Sequence, residues 1–130
     1  MASPRRDPPR GPSAPLTTTA IGRAAERRVG EWLEARGRVV LGRNVRFGRD
    51  EIDILALDGR TVVLVEVRTR ADDSRGHPLE TIDRRKRDHL RRAAKRYAQR
   101  NGVTDVRIDV ACVMGDEIDY VENAVDFTST

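Results

Sequence analysis

Three features of the sequence predict a single α/β domain, a mixed β-sheet flanked by helices in the order α-β-β-β-α-β-β. Residues 19–36 and about 80–100 repeat apolar side chains at the spacing of one helix face. Shorter runs rich in Val, Ile and Leu, bounded by Gly, Asp and Asn, read as strands. Between two of these runs stands Asp58-Gly59, a pair that tolerates the positive φ values of a tight type I′ turn, so residues 50–70 (DEIDILALDGRTVVLVEVRTR) read as a hairpin.

Residues 1–16 (MASPRRDPPRGPSAPL) hold five of the six prolines and no apolar period. They are expected to form a disordered basic tail before a single domain spanning residues 17–128. In the first helix Ile21, Ala25, Val29, Trp32 and Leu33 share a face, with Thr18 or Thr19 able to cap its start and Gly37 suited to its end. Glu26 falls at the border of that face. It either leans over the sheet or pairs with Arg23 or Arg27 in solvent. Residues 38–47 read as a first strand, interrupted near Gly42 to Asn44.

In the hairpin a loop of Asp58 and Gly59 alone pairs Asp53 with Leu64 and Glu51 with Glu66. Alternation puts Glu51, Asp53, Leu55 and Leu57 on one face with Val62, Leu64, Glu66 and Arg68. Ile52, Ile54, Val63, Val65 and Val67 form the other, wholly apolar face. Like charges opposed on paired strands are destabilising by roughly 0.2–1 kcal/mol, so stability alone does not select this cluster. The three carboxylates Glu51, Asp53 and Glu66 beside the Arg68 cation on rigid strands suit a hard divalent metal such as Mg2+. The alternative is a solvated polar face with one Glu66–Arg68 salt bridge.

The second helix is strongly basic. From Asp83 to Arg100 nine Lys or Arg face two Asp, a surface suited to phosphate contacts through outward residues such as Arg84, Arg91 and Arg92, or simply a solvated face. Its buried arc is Ile82, Leu90, Ala93, Ala94 and Tyr97. Lys86 lies inside that arc, about 40° from Ile82 at 100° per residue. Burying an unpaired ammonium is costly, so the Lys86 stem either snorkels to water or its charge meets the carboxylates. Residues 71–80 read as a surface loop in which His77 is incidental. Residues 106–114 form a strand with Arg107 and Asp109 on one face, and a last strand near Ile118 to Glu122 pairs with it across Gly115-Asp116.

The chain has 130 residues, 38% hydrophobic and 35% charged, with net charge +4. No apolar run approaches 18 residues and no signal-peptide pattern opens the chain, so a cytoplasmic protein without a membrane span is expected. Cys112 is the single cysteine, which excludes an intrachain disulfide and a Cys-based zinc site. Few aromatics argue against a base-stacking platform.

An acid on one strand, then acid-x-base on the next, after a helix carrying Glu, resembles the restriction-endonuclease-like PD-(D/E)XK nucleases. Asp53, Glu66 and Arg68 stand at the three positions. More closely, IGRAAERRVGEWLEARG, Arg43-Asn44, DEIDILALDG, VLVEVRTR, the Lys86 helix, RIDV and ENAVDF resemble the YraN family of nuclease-like proteins. Asp50 stands where that family usually has Gly, adding an acid near the site. Arg68 replaces the lysine of the general motif; arginine stays protonated and cannot be a base, but it can hold phosphate charge. The resemblance implies a restriction-endonuclease-like fold and a Mg2+- or Mn2+-dependent phosphodiesterase acting on DNA, including branched or damaged structures. Asp53 and Glu66 would hold the ion, Arg68 or Lys86 would stabilise charge, and Glu26 would bind a second metal or orient water. The rival readings are a non-catalytic nucleic-acid-binding protein and a module whose basic helix docks an acidic protein.

Overall fold

The computed structural model describes residues 18–70 and 78–126. The proline-rich tail and His77 lie outside the described residues. The elements are α1 (Thr18–Ala35), β1 (Val39–Phe47), β2 (Asp50–Asp58), β3 (Thr61–Thr69), a 3-10 turn (Pro78–Thr81), α2 (Arg84–Asn101), β4 (Val106–Met114) and β5 (Glu117–Val121). The order is the expected α-β-β-β-α-β-β. The five strands lie side by side as β1-β2-β3-β4-β5, antiparallel except for the β3–β4 pair. A parallel pair needs a long crossover, and α2 supplies it. No described helix is long and apolar enough to cross a membrane.

The sheet is covered on both faces. Ala25, Val29 and Leu33 of α1 pack on Ile54, Ala56, Val63, Val65, Ala111 and Val113. Leu90, Ala93 and Ala94 of α2 pack on Leu55, Val62, Leu64, Ile108 and Val110. This explains why β3 and β4 are buried almost throughout, a pattern expected of strands sandwiched between helices. The second helix begins at Arg84 and not near residue 80. Asp83 takes extended backbone and its carboxylate accepts the Lys86 amide at 2.9 Å, so the capping acid sets the start.

The hairpin register differs from the expected one. Asp58 pairs with Thr61 and Leu55 with Leu64, so the turn is Gly59-Arg60, with Gly59 at φ 63°. The pairs from Ile54 to Asp58 shift by two positions, and past them Asp53 is the β2 acid that acts most strongly on Glu66. Glu51 instead faces Arg46 of β1 and is exposed.

Beyond Ile54–Val65 the β2–β3 ladder ends, and Asp53 Oδ2 accepts the Val67 amide at 2.8 Å in place of a backbone carbonyl. Alternation breaks at the same point. Ile52 joins Leu55 in the α2-side core, whereas it was expected beside Ile54. On β1, Asn44 takes a left-handed φ of 52°, which Asn tolerates better than most residues. From this bend the end of the β1–β2 ribbon folds over α2, where Phe47 meets Tyr97 edge-on with ring centroids 5.7 Å apart.

Candidate active site

Glu66 is the centre of the site. It stands on β3, only 2% exposed, and faces the N-terminal half of α2. Lys86 Nζ lies 3.5 Å and Arg68 Nη1 3.2 Å from the same carboxylate oxygen, Oε2. The inward direction of Lys86 follows from its place among the core positions of α2. The Glu66–Arg68 salt bridge of the alternative reading is therefore present as well. Glu66 Oε1 is buried and no donor reaches it.

Burial, and next to it the neighbouring Asp53 charge, push the Glu66 carboxyl up from 4.5 to about 7, outweighing both cations. Burial also raises Asp53, against the Val67 amide and Lys86, which favour its charged form. Two carboxyls that resist ionisation together form a site with an affinity for positive charge.

Glu26 approaches from α1. It is half-buried and is raised by burial first and then by Asp53 and Glu51, with the Asn44 side chain favouring its charged form. Of its two expected settings, then, it leans toward the sheet, although Arg23 still adds a smaller attraction. The structure thus brings Glu26, Asp53, Glu66, Arg68 and Lys86 into one electrostatic neighbourhood fed by α1, β2, β3 and α2. Asn44 was not singled out from the sequence; its signal was an asparagine inside an otherwise strand-forming run.

Whether these residues suit a divalent ion is decided by the donor set. Among the described residues no three His, Cys, Asp or Glu side chains stand close enough to hold a metal by themselves. Two carboxylates, one with a buried and unsatisfied oxygen, match the way Mg2+ is bound, through one or two protein ligands with waters and substrate phosphate completing its shell. The residues therefore fit Mg2+ or Mn2+.

Asp50 does not join the cluster. It is 5% exposed and turned to α2, where Arg92 Nε and Nη2 grip its two oxygens at 3.1 and 2.9 Å and His89 Nδ1 stands 3.7 Å away. The acid expected near the site is a clamp for the folded-over ribbon. Of the three outward arginines, Arg92 is engaged in this fork and Arg91 binds Asp88 and the Asp126 carbonyl. Arg84 is exposed.

A second polar network lies at the far end of the sheet. Asp109, fully buried, accepts two bonds from Arg107, one from the Tyr120 hydroxyl at 2.6 Å and one from the Asn123 amide at 2.9 Å. Arg107 and Arg38 both reach Asp58 at 3.1 Å, and Arg38 also binds Glu122. Every oxygen of Asp109 is satisfied, so this network fastens the C-terminal segment to β4 and the hairpin turn.

These features define a class: an α/β domain with a five-stranded mixed sheet between two helices and a carboxyl pair, Glu66 buried and Asp53 half-buried, backed by a lysine where two central strands part. The chain belongs to the uncharacterised protein family UPF0102, whose model matches residues 25–113 and which is the YraN family its motifs resemble. A UPF0102 protein of Chlorobium limicola is 37% identical over 102 residues, 77% of this chain and 79% of its own. One from Beutenbergia cavernae is 45% identical over 97 residues, 73% of this chain and 82% of its own. Among solved structures, that of SSO0001 matches 82% of this chain at 14% identity and a TM-score of 0.43; the match spans about half of that protein, 52% of its length.

Proposed function

We propose that this protein is a metal-dependent phosphodiesterase acting on DNA. The observation that carries the reading is Glu66 Oε1, a buried oxygen without a donor on a carboxyl already crowded by Asp53. A side chain kept in that state is costly unless a cation or proton completes it. Asp53 and Glu66 would hold Mg2+ or Mn2+. When bound, the ion supplies Lewis acidity and a water of lowered pKa.

The remaining residues have roles that follow from their chemistry. Lys86 and Arg68 would neutralise charge that builds on the scissile phosphate, Arg68 through its permanently protonated fork. Glu26, its carboxyl raised by burial, would accept a proton from the attacking water at a carboxylate oxygen. The general lysine of acid-x-lysine sites is absent from the β3 triplet, and Lys86 approaches Glu66 from α2 instead.

A nucleic-acid-binding protein without catalysis is the second reading. It is favoured by the ion pairs that Glu66 makes with Lys86 and Arg68, which partly compensate the carboxylate without a metal. Titrating Mg2+ and Mn2+ against labelled duplex, flap and four-way DNA separates the two. Metal-dependent cutting that disappears in Asp53→Asn and Glu66→Gln supports the nuclease; metal-independent binding with no cutting of any substrate overturns it.

A further inference from the structure

The end of the β1–β2 ribbon is built in an unusual way. Gly48 has φ +65°, and the Arg96 guanidinium of α2 occupies the space that a β-carbon would need. Any larger residue at this position would both strain the turn and expel the arginine. The guanidinium consequently lies against the Gly48 backbone, and among the described residues neither ring nor carboxylate forms an ion pair or stacking contact with it. Both oxygens of Asp50, the nearest buried acid, are taken by Arg92. Arg96 contributes only a weaker, through-space effect on Asp50.

Arg49 follows Gly48 directly and is exposed, as are Lys95 and Arg96 one turn of α2 away. Positive charge therefore accumulates at this corner, where Arg92 takes the Asp50 carboxylate and Glu51 faces Arg46. No large apolar residue is exposed here. The exposed ones among the described residues are Ile21, Val39 and Leu41, on α1 and at the opposite end of β1. A protein partner of ordinary composition needs an apolar centre to its interface, whereas a polyanion needs only fixed cations.

We propose that Arg49 and Arg96, the latter seated on Gly48, form a docking surface for the phosphodiester backbone of duplex nucleic acid. The surface deepens the nuclease reading and rests on it for the identity of the polymer as DNA. Ten helical positions separate Arg96 from Lys86. At about 1.5 Å per residue this is about 15 Å, the rise of roughly four base pairs at about 3.4 Å each. A duplex lying along α2 would then be gripped at pairs flanking the reacting phosphate.

The test is affinity for a labelled duplex oligonucleotide over a salt series in EDTA, where no metal-dependent cutting intervenes, with cutting in Mg2+ measured separately. Arg49→Gln and Arg96→Gln are each expected to flatten the slope of log affinity against log salt by about 0.9. Arg92→Ala frees the Asp50 carboxylate for Arg96 and should flatten the slope as Arg96→Gln does, while its melting temperature falls. Gly48→Ala changes no charge yet should weaken binding as Arg96→Gln does, by unseating the guanidinium. Wild-type slopes in both glutamine variants overturn the surface, and if wild type still cuts DNA the nuclease reading survives. Flattened slopes without cutting in any metal keep the surface and remove the nuclease. Slopes that flatten in Arg92→Ala but not in Arg96→Gln also overturn it.

Discussion

Lys86 on α2 and Glu66 on β3 meet at 3.5 Å across the seam between helix and sheet. Lys86 is two positions after the first helical residue, so its direction is fixed by the Asp83 cap that starts the helix. If the protein is a nuclease, Lys86→Ala should lower turnover by about 100-fold, as loss of one charge-stabilising group does elsewhere, with little change in DNA affinity. Arg85→Ala, one position away and exposed, should mainly weaken binding. Steady-state kinetics beside equilibrium binding check the split; parallel losses in both variants would remove Lys86 from the chemistry.

The Glu66 carboxyl titrates near 7 in the fold against 4.5 in an unfolded chain. Between those values the native state holds a proton that the unfolded state has released, so this group's contribution to stability is full below 4.5 and is lost as pH rises through 7. A shift of that size corresponds to about 3 kcal/mol. Metal-free Glu66→Gln should therefore melt higher than wild type above pH 7 and close to it near pH 4.5. Equal pH profiles from melts in EDTA would contradict the assignment.

Metal affinity should run the other way with pH, because the ion displaces the proton on Glu66. Calorimetry is expected to show Mg2+ or Mn2+ binding that strengthens through pH 7. Asp53→Asn should weaken it at least about tenfold, since even outer partners of a metal site are worth that much. Asn can still accept the Val67 amide, so metal-free stability should be unchanged or raised. Asp53→Ala, which orphans that amide, should cost about 1–3 kcal/mol.

Asp50 behaves in the opposite sense. The Arg92 fork holds its carboxyl below the usual range, so its contribution is present above about pH 4 and is lost as pH falls below that. Asp50→Asn should flatten the acid limb of a pH–melting curve without touching the limb near neutrality. An unaltered acid limb would mean that the clamp adds nothing to stability.

Asp109 offers a test unrelated to catalysis. Replacing it by Ala orphans the Tyr120 hydroxyl and the Asn123 amide and leaves Arg107 with Asp58 alone. The expected cost is about 1–3 kcal/mol for each orphaned donor in chemical denaturation. A loss below 1 kcal/mol, roughly that of a surface ion pair, would show that solvent already screens the network.

The sequence by itself determined what depends on local period and local caps. The two helices, the five strands and the inward aim of Lys86 follow from repeats of 3.6 and 2.0 residues, which backbone geometry enforces whatever the neighbours. Register was another matter. Asp58-Gly59 allows more than one turn, and a two-residue shift leaves every face intact, so the apolar pattern could not distinguish Glu51 from Asp53 as the β2 acid that acts most strongly on Glu66. The break in alternation at Asp53 and the left-handed Asn44 depend on where β2 parts from β3. Asp50 lies 42 positions from Arg92, and no local rule connects them. The raised Glu66 carboxyl required most of all the assembled fold, because its causes are burial under α2 and a charge from another strand. Such effects arise from distances between elements, and only tertiary packing sets those.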